Sequence, residues 1–299
     1  MWKGQGEHMK RKKDKILIVV SILVLASINV FLLSYIHTTL SYQNMVRKLH
    51  TLDVNMELFR SMEFKENSLE MLLSENDKKH PDKIENITLS MMLNSYSCTK
   101  KGIFKYQKLS ETMVKKVCET QIYQKLYERY KTILTDIQYF PVPEDLDKKY
   151  LVSFENSWGN PRTYGGDRRH EGTDIMAKEN IRGIYPVVSV SDGVVKNKGW
   201  LEQGGYRIGV RSESGAYYYY AHLYSYAPDL KVGDKVLAGQ LLGFMGDSGY
   251  SKVEGTTGNF DVHLHFGIYY MEGDEETSVN PYYILKYLEH YKLSYAFGK

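Results

Sequence analysis

Cysteine is nearly absent from this chain: Cys98 and Cys118 are the two in 299 residues. They form no Cys-x-x-Cys spacing, which argues against a thiolate-held zinc. The His-Glu-x-x-His signature of helix-borne metalloproteases is missing as well. Nor does one sign of charge dominate, with 39 Lys and Arg against 36 Asp and Glu and a formal net charge of +3. That near balance conceals an asymmetry. Residues 151–299 carry 15 basic and 18 acidic side chains, whereas residues 1–150 carry 24 and 18. Much of the basic excess is Lys10, Arg11, Lys12, Lys13 and Lys15, offset locally only by Asp14.

Immediately after that cluster, Ile16 to Ile36 runs for twenty-one positions without a charge. About twenty apolar residues cross the hydrocarbon core of a bilayer as a helix. A core helix would carry a polar stripe, and only Ser21, Ser27, Asn29 and Ser34 interrupt this run. A cleaved signal has a shorter apolar region and a small-x-small exit, which Leu25-Ala26-Ser27 matches poorly. The reading is an uncleaved anchor: a cytoplasmic basic tail over 1–15, a single transmembrane helix over 16–36, and everything from residue 37 outside by the positive-inside bias. The basic cluster then sets topology, and no nucleic-acid partner is expected. An oxidising exterior permits a Cys98–Cys118 disulfide that would stabilise the fold by roughly 3 kcal/mol. Two buried thiols are the equal alternative.

Residues 37–140 read as a helical stalk. Met45, Leu49, Leu52, Met56 and Phe59 recur at spacings of four and three. The seam suits a homodimeric coiled coil or a regulatory partner, but its two heptads favour packing within the chain. His80-Pro81-Asp82 breaks the pattern, and Val114, Cys118, Ile122, Leu126, Tyr130, Ile133 and Ile137 form a second stripe. His37, His50 and His80 read as solvated, and Asn86-Ile87-Thr88 matches a glycosylation acceptor. Pro141 and Pro143 mark a linker over 141–150. Beyond it, short β-rich runs alternate with turn signals: 186–190, 193–196, 207–211, 217–221, 240–245 and 262–270. That pattern predicts an antiparallel all-β domain over 151–299. A short helix opens at Asn280-Pro281, with Ile284, Leu285 and Leu288 on its apolar side. The fold class overall is α+β.

Chemistry concentrates in this last region. In a strand, His263 and His265 project to one side, within the apolar run Val262-His-Leu-His-Phe-Gly-Ile. Two buried imidazoles are costly unless a metal or a hydrogen-bond network engages them. His170 and Asp174 sit in a stretch that reads as loop running into strand, and His222 lies in Tyr220-Ala-His-Leu. Imidazole and carboxylate suit zinc, and two histidines with one aspartate leave a position open for water. Spacing alone does not choose between His263 and His265. Glu171 reads as solvated, and Tyr217 to Tyr220 read chiefly as cross-strand packing.

These residues carry a resemblance. Trp158-Gly159, His170-x-Gly-x-Asp174-Ile175, the run Pro186 to Val195, Tyr220-Ala-His222-Leu, Val232-Gly233 through Gly243, and His263-Leu-His265-Phe occur in one order. Residues from about 155 to 290 therefore resemble the lysostaphin/LytM-type zinc endopeptidases, which cut the peptide part of bacterial peptidoglycan. The resemblance implies Zn2+ on His170, Asp174 and His265, with His222 and His263 flanking the reacting water. It implies hydrolysis of stem peptides or cross-bridges by a membrane-held enzyme facing outward. The alternative is a catalytically silent scaffold or regulator on the same domain, as in a sporulation channel. Two segments depart from the pattern: the long approach from Gly249 to Val262, and Gly204-Gly205-Tyr206-Arg207. Both are expected to rim the substrate groove.

Overall fold

The computed structural model describes residues 3–49, 54–74, 82–103 and 106–298. Helix α1 (Lys3–Leu49) contains the expected apolar span, with Lys15–Ser41 long and apolar enough to cross a membrane. None of that window is buried within the protein, so it is no core helix. Its length and composition suit a membrane anchor or a signal sequence. Ser27 Oγ and Asn29 Nδ2 donate to the carbonyls of Leu23 and Leu25, one turn back. These two polar interruptions are thereby satisfied inside the helix.

The chain forms two compact units, residues 1–53 with 111–120, and residues 54–110 with 121–299. The second unit begins with helix α2 (Met56–Arg60), whose N-cap Asn55 accepts from Leu58 N–H. Strand β1 (Glu63–Phe64), helix α3 (Ser68–Ser74) and helix α4 (Lys83–Leu93) follow. Asp82 caps α4 by accepting from Ile84 and Glu85 N–H. Next come β2 (Ser97–Cys98), which pairs parallel with β1, and α5 (Lys100–Ile103). The single stripe expected from Val114 to Ile137 is two helices, α6 (Glu111–Cys118) and α7 (Gln121–Leu134). Buried Thr120 lies between them, and its hydroxyl donates to Val117 O at 2.7 Å. Such side-chain competition for a carbonyl ends a helix.

On α7, Ile122, Leu126, Tyr130 and Ile133 are buried at helical spacing. Phe59 meets Tyr130 at 5.1 Å and Tyr270 at 5.8 Å between ring centroids, which ties helices to sheet. Asn86 is buried in α4, so the glycosylation match is not an accessible acceptor. No disulfide joins Cys98 and Cys118 among the described residues. Of the proposed seam, Phe59 is buried and Leu52 lies outside the described residues, as do His50 and His80.

The segment expected as a linker is seated rather than loose. Phe140 and Val142 are fully buried, and β3 (Glu144–Asp145) pairs with a C-terminal strand described below. The sheet then builds from β4 (Val152–Phe154), β5 (Pro161–Arg162), β6 (Arg168–Arg169), β7 (Thr173–Ala177), β8 (Pro186–Val188), β9 (Gly193–Leu201), β10 (Gly205–Arg211), β11 (Tyr217–Tyr226), β12 (Lys235–Val236), β13 (Leu241–Met245), β14 (His263–Glu272) and β15 (Glu275–Val279). Helix α8 (Tyr282–Leu288) buries Ile284, Leu285 and Leu288, and β16 (Ser294–Tyr295) pairs with β3. The main sheet runs β12-β9-β10-β11-β14-β7-β4, antiparallel throughout, with β13 on β11, β8 on β13 and β15 on β14. Every run read as a strand from the sequence overlaps one, although β8 stops at Val188, short of the expected 190. Alternation divides the two faces. Ile208, Val210, Tyr218, Tyr220, Leu264, Phe266 and Ile268 are fully buried on the core face, where Tyr218 Oη donates to Ile133 O of α7. Arg207, Tyr217, Tyr219, His265 and Tyr269 occupy the other face and line a cavity.

Candidate metal centre

Cross-strand register assembles the site. At one level of the sheet, Gly199, Arg207, Ala221, His265 and Asp174 follow one another on β9, β10, β11, β14 and β7. At the next level lie Asn197, Gly209, Tyr219 and Gly267. The glycines leave the floor open, and a Cβ at Gly209 would overlap the Tyr217 hydroxyl at 1.8 Å. The resulting cavity holds about 540 Å³ and is open to solvent.

His170 reaches the same point from the loop before β7. Its N–H donates to Asn160 O, and Gly159 N–H donates to its carbonyl, both at 2.8 Å. His170 Nε2 lies 2.9 Å from His265 Nδ1 and 3.0 Å from Asp174 Oδ1, and the last pair is 3.1 Å apart. His170 Nδ1 is 2.9 Å from Ser157 O. A carbonyl only accepts, so that nitrogen carries the proton and Nε2 presents its lone pair. Three lone-pair atoms thus converge within a triangle of about 3 Å, a set that one cation satisfies. A tetrahedral zinc with bonds of about 2.1 Å separates its ligands by about 3.4 Å. The donor set therefore fits the ion, and it is the His/Cys/Asp/Glu group of the described residues so arranged.

Burial opposes the charge on Asp174, yet the adjoining His170, His265 and His263 side chains outweigh it and hold the carboxyl well below its ordinary range. Its second oxygen accepts from Arg162 Nη2 at 2.6 Å. His265 is pushed below the usual imidazole range by burial, against the pull of Asp174.

Two further imidazoles stand beside this triangle. His263 Nδ1–H donates to Asp261 O at 2.7 Å, and its Nε2 lies 3.8 Å from Asp174 Oδ1. His222 Nδ1–H donates to Ser248 O at 2.8 Å, and its ring centroid is 4.7 Å from that of His263. Strict alternation along β11 would send His222 to the core face with Tyr218 and Tyr220. Instead the β10–β11 register shifts between Tyr206 and Ile208, and His222 takes φ +63°. The bulge sets Ala221 and His222 opposite Arg207 and turns the imidazole into the cavity. Burial, then His263 and His265, keep His222 well below the usual imidazole range.

The structure thus brings together all five residues singled out in the sequence. It also adds residues that spacing did not reveal: Arg162 on Asp174, the carbonyls of Ser157, Asp261 and Ser248, and Phe260 packed 4.6 Å from the His222 ring. Gly172 is demanded by the His265 ring, which a Cβ there would meet at 2.6 Å. Glu171 is largely exposed, with Arg60 at 3.9 Å. The departing segments do rim the cavity. Gly204, Arg207 and Tyr250 line it, and Tyr250 stacks on Tyr164 at 4.5 Å and 3° across its edge.

A loop-borne His with a strand-borne Asp and His around one point, and two imidazoles alongside, has the donor set of a metal-binding centre. The chain belongs to peptidase family M23, whose family model matches residues 168–281. It is 38% identical over 209 residues to an L-Ala–D-Glu endopeptidase of Bacillus subtilis, covering 69% of this chain and 60% of that protein. It is 35% identical over 133 residues to the glycyl-glycine endopeptidase ALE-1 of Staphylococcus capitis, covering 42% of this chain and 33% of that one. The chain thus spans 60% or less of the length of these relatives. A crystal structure from Ruminococcus gnavus, described as a candidate glycyl-glycine endopeptidase LytM, aligns over 85% of this chain and 99% of its own, with 41% identity and a TM-score of 0.71.

Proposed function

We propose that this chain is a zinc endopeptidase that hydrolyses peptide bonds in the stem peptides or cross-bridges of peptidoglycan. The observation that carries the reading is the 3 Å triangle of His170 Nε2, Asp174 Oδ1 and His265 Nδ1 on the floor of an open cavity. In this reading α1 is a single-pass anchor with a cytoplasmic tail over 1–15. Residues 37–140 are the extracytoplasmic stalk, 141–150 connect it, and 151–299 are the peptidase domain. The names of the M23 relatives, endopeptidases of L-Ala–D-Glu and Gly–Gly bonds, support a wall-peptide substrate.

His170, Asp174 and His265 would hold the zinc, which supplies Lewis acidity at its open position. The chain supplies the rest. Arg162 fixes Asp174 and balances its charge. His222 and His263 each commit Nδ1–H to a main-chain carbonyl, which leaves Nε2 as the proton-handling atom facing the cavity. A neutral imidazole there accepts a proton from attacking water, and an N–H-bearing one stabilises the developing oxyanion or protonates the leaving amine. The cavity is open to solvent, so a peptide can enter it.

The full chain in detergent is expected to hold one zinc per chain by elemental analysis and to release new amines from purified peptidoglycan. His265→Ala should lose the metal, whereas His222→Ala should keep it and lose hydrolysis. A fully metallated wild-type chain that frees no amine from any peptidoglycan type would refute the enzymatic reading and favour the scaffold. Loss of metal in His222→Ala would overturn the division of roles.

A further inference from the structure

The cavity wall carries more cations than the centre uses. Arg162 pairs with Asp174, Arg169 with Glu57, and neighbouring Arg211 with Glu276. Arg168 donates to Tyr164 O and to the Tyr250 hydroxyl. Arg207 differs: it lines the cavity, and among the described residues no carboxylate pairs with it. A guanidinium stays charged at any pH a protein survives, so neutralisation offers no relief. A half-buried guanidinium that faces an open cavity with no counter-charge from its own chain is available to an anion.

The acidic groups around the cavity are already engaged. Glu276 takes Arg211, Glu171 faces Arg60, and Glu202 accepts from the Tyr164 hydroxyl. Beside Arg207 stand Tyr217, whose hydroxyl accepts from Asn197, and Tyr219 over the floor.

Position completes the picture. Arg207 shares its level of the sheet with His265 and Asp174, two strands from the first and three from the second. Strands lie about 4.8 Å apart, so its backbone stands about 10 Å from that of His265. Only Ala221 intervenes on this level, and Gly199 flanks it on the other side. The Arg207 and His265 side chains line the same cavity. A peptide with its scissile amide at the metal centre would place the next residue's substituents within reach.

We propose that Arg207 is a carboxylate-binding subsite of this groove, and that the preferred substrate is a peptide with a free carboxylate on the residue adjoining the scissile amide. A γ-linked glutamyl unit has this form, because its α-carboxylate stays free when the side-chain carboxyl enters the chain. An oligoglycine bridge does not. The proposal rests on the peptidase reading of the same cavity. Arg207 is a specificity residue here, and the proton-handling pair is untouched by it.

The test uses the full chain in detergent and two fluorescent tripeptides, L-Ala-γ-D-Glu-L-Lys and its counterpart with the glutamyl α-carboxyl amidated. The kcat/KM ratio of acid to amide is expected to be roughly 30, the scale of a bidentate charge-assisted pair. Arg207→Gln should bring the ratio near 1, and Arg207→Lys should leave an intermediate value, since it keeps the charge and loses the fork. Metal content and thermal midpoint should match wild type. Equal cleavage of both peptides by wild type, or an unchanged ratio in Arg207→Gln, would overturn the subsite. Should wild type cleave neither, the peptidase reading fails. Fluorescence anisotropy of the same peptides on the chelator-treated chain then decides the subsite alone, with equal affinity for acid and amide overturning it.

Discussion

Replacing Gly172 by Ala tests whether the ligand triangle depends on room that only glycine leaves. A Cβ at this position would stand 2.6 Å from both His265 Cε1 and Phe266 O, and 2.7 Å from His265 Nε2. Non-bonded heavy atoms settle at about 3.5 Å, so each contact must open by nearly 1 Å. The backbone conformation adds nothing, because Gly172 does not occupy the left-handed region. Phe266 O belongs to β14, where Phe266 is paired with Thr173 of β7, so the carbonyl cannot retreat without loosening the ladder. The His265 ring yields instead, and its Nδ1 leaves the positions 2.9 and 3.1 Å from His170 and Asp174. Sites of this kind tolerate displacements of about 0.5 Å. Zinc affinity is therefore expected to fall by at least the 10- to 100-fold typical of lost ligand support. Overpacking costs about 1–3 kcal/mol, and for a domain of this size each kcal/mol lowers Tm by about 2–4 °C. Affinity is read by competition with a chromogenic chelator, and Tm by calorimetry in excess chelator so that metal loss does not add to it. Wild-type affinity together with wild-type Tm would refute the steric reasoning, because it would mean the ring and carbonyl move freely.

Two other changes separate support from structure. Arg162→Met keeps the aliphatic stem and removes the donor to Asp174 Oδ2; zinc affinity should fall about 10- to 100-fold with little change in chelated Tm, and unchanged affinity would show that Asp174 orients itself. Glu272→Gln breaks the pair with Arg129 that joins β14 to α7. The hydrogen bond to Arg129 holds the Glu272 carboxyl below its ordinary 4.5, so its contribution is present above that pH and disappears as pH falls through the folded-state pKa. Partial exposure of Glu272 keeps the loss near 1–2 kcal/mol at pH 7. Urea denaturation should show the two proteins converging as Glu272 protonates in acid; a gap that does not narrow as pH falls would assign the effect to packing.

The β-rich runs were legible because period-two alternation is a local property, and Tyr218 and Tyr220 fall on the core face as alternation requires. His263 and His265 were legible as a pair for the same reason. Which of them joins the triangle was not, since it depends on pairing: His265 faces Asp174 across the ladder, whereas His263 faces Met176. His222 broke the local rule. Its bulge against β10 is a relation between two strands, and residue types within β11 do not announce it. Tyr217 and Tyr219 were read chiefly as packing, yet they line the cavity because the glycines of the facing strands give their rings space. Arg162 and Arg207 carry no motif; one is defined by the partner it has and the other by the partner it lacks. On the helical side, one hydroxyl, that of Thr120, divides a stripe that apolar spacing alone presents as continuous.

Three of the four imidazoles at the centre are oriented by main-chain carbonyls, those of Ser157, Ser248 and Asp261. A carbonyl belongs to every residue type and does not titrate. The tautomers of His170, His222 and His263 are therefore inherited from the path of the chain and not from any neighbouring side chain. Substitutions at 157, 248 and 261 leave the acceptors in place, which buffers the centre against point mutation. Changes of loop length have no such protection. One residue gained or lost between Gly249 and Asp261 would shift a carbonyl and release an imidazole to flip. Drift in this protein can thus freely rewrite the letters of these loops while their spelling length stays under constraint.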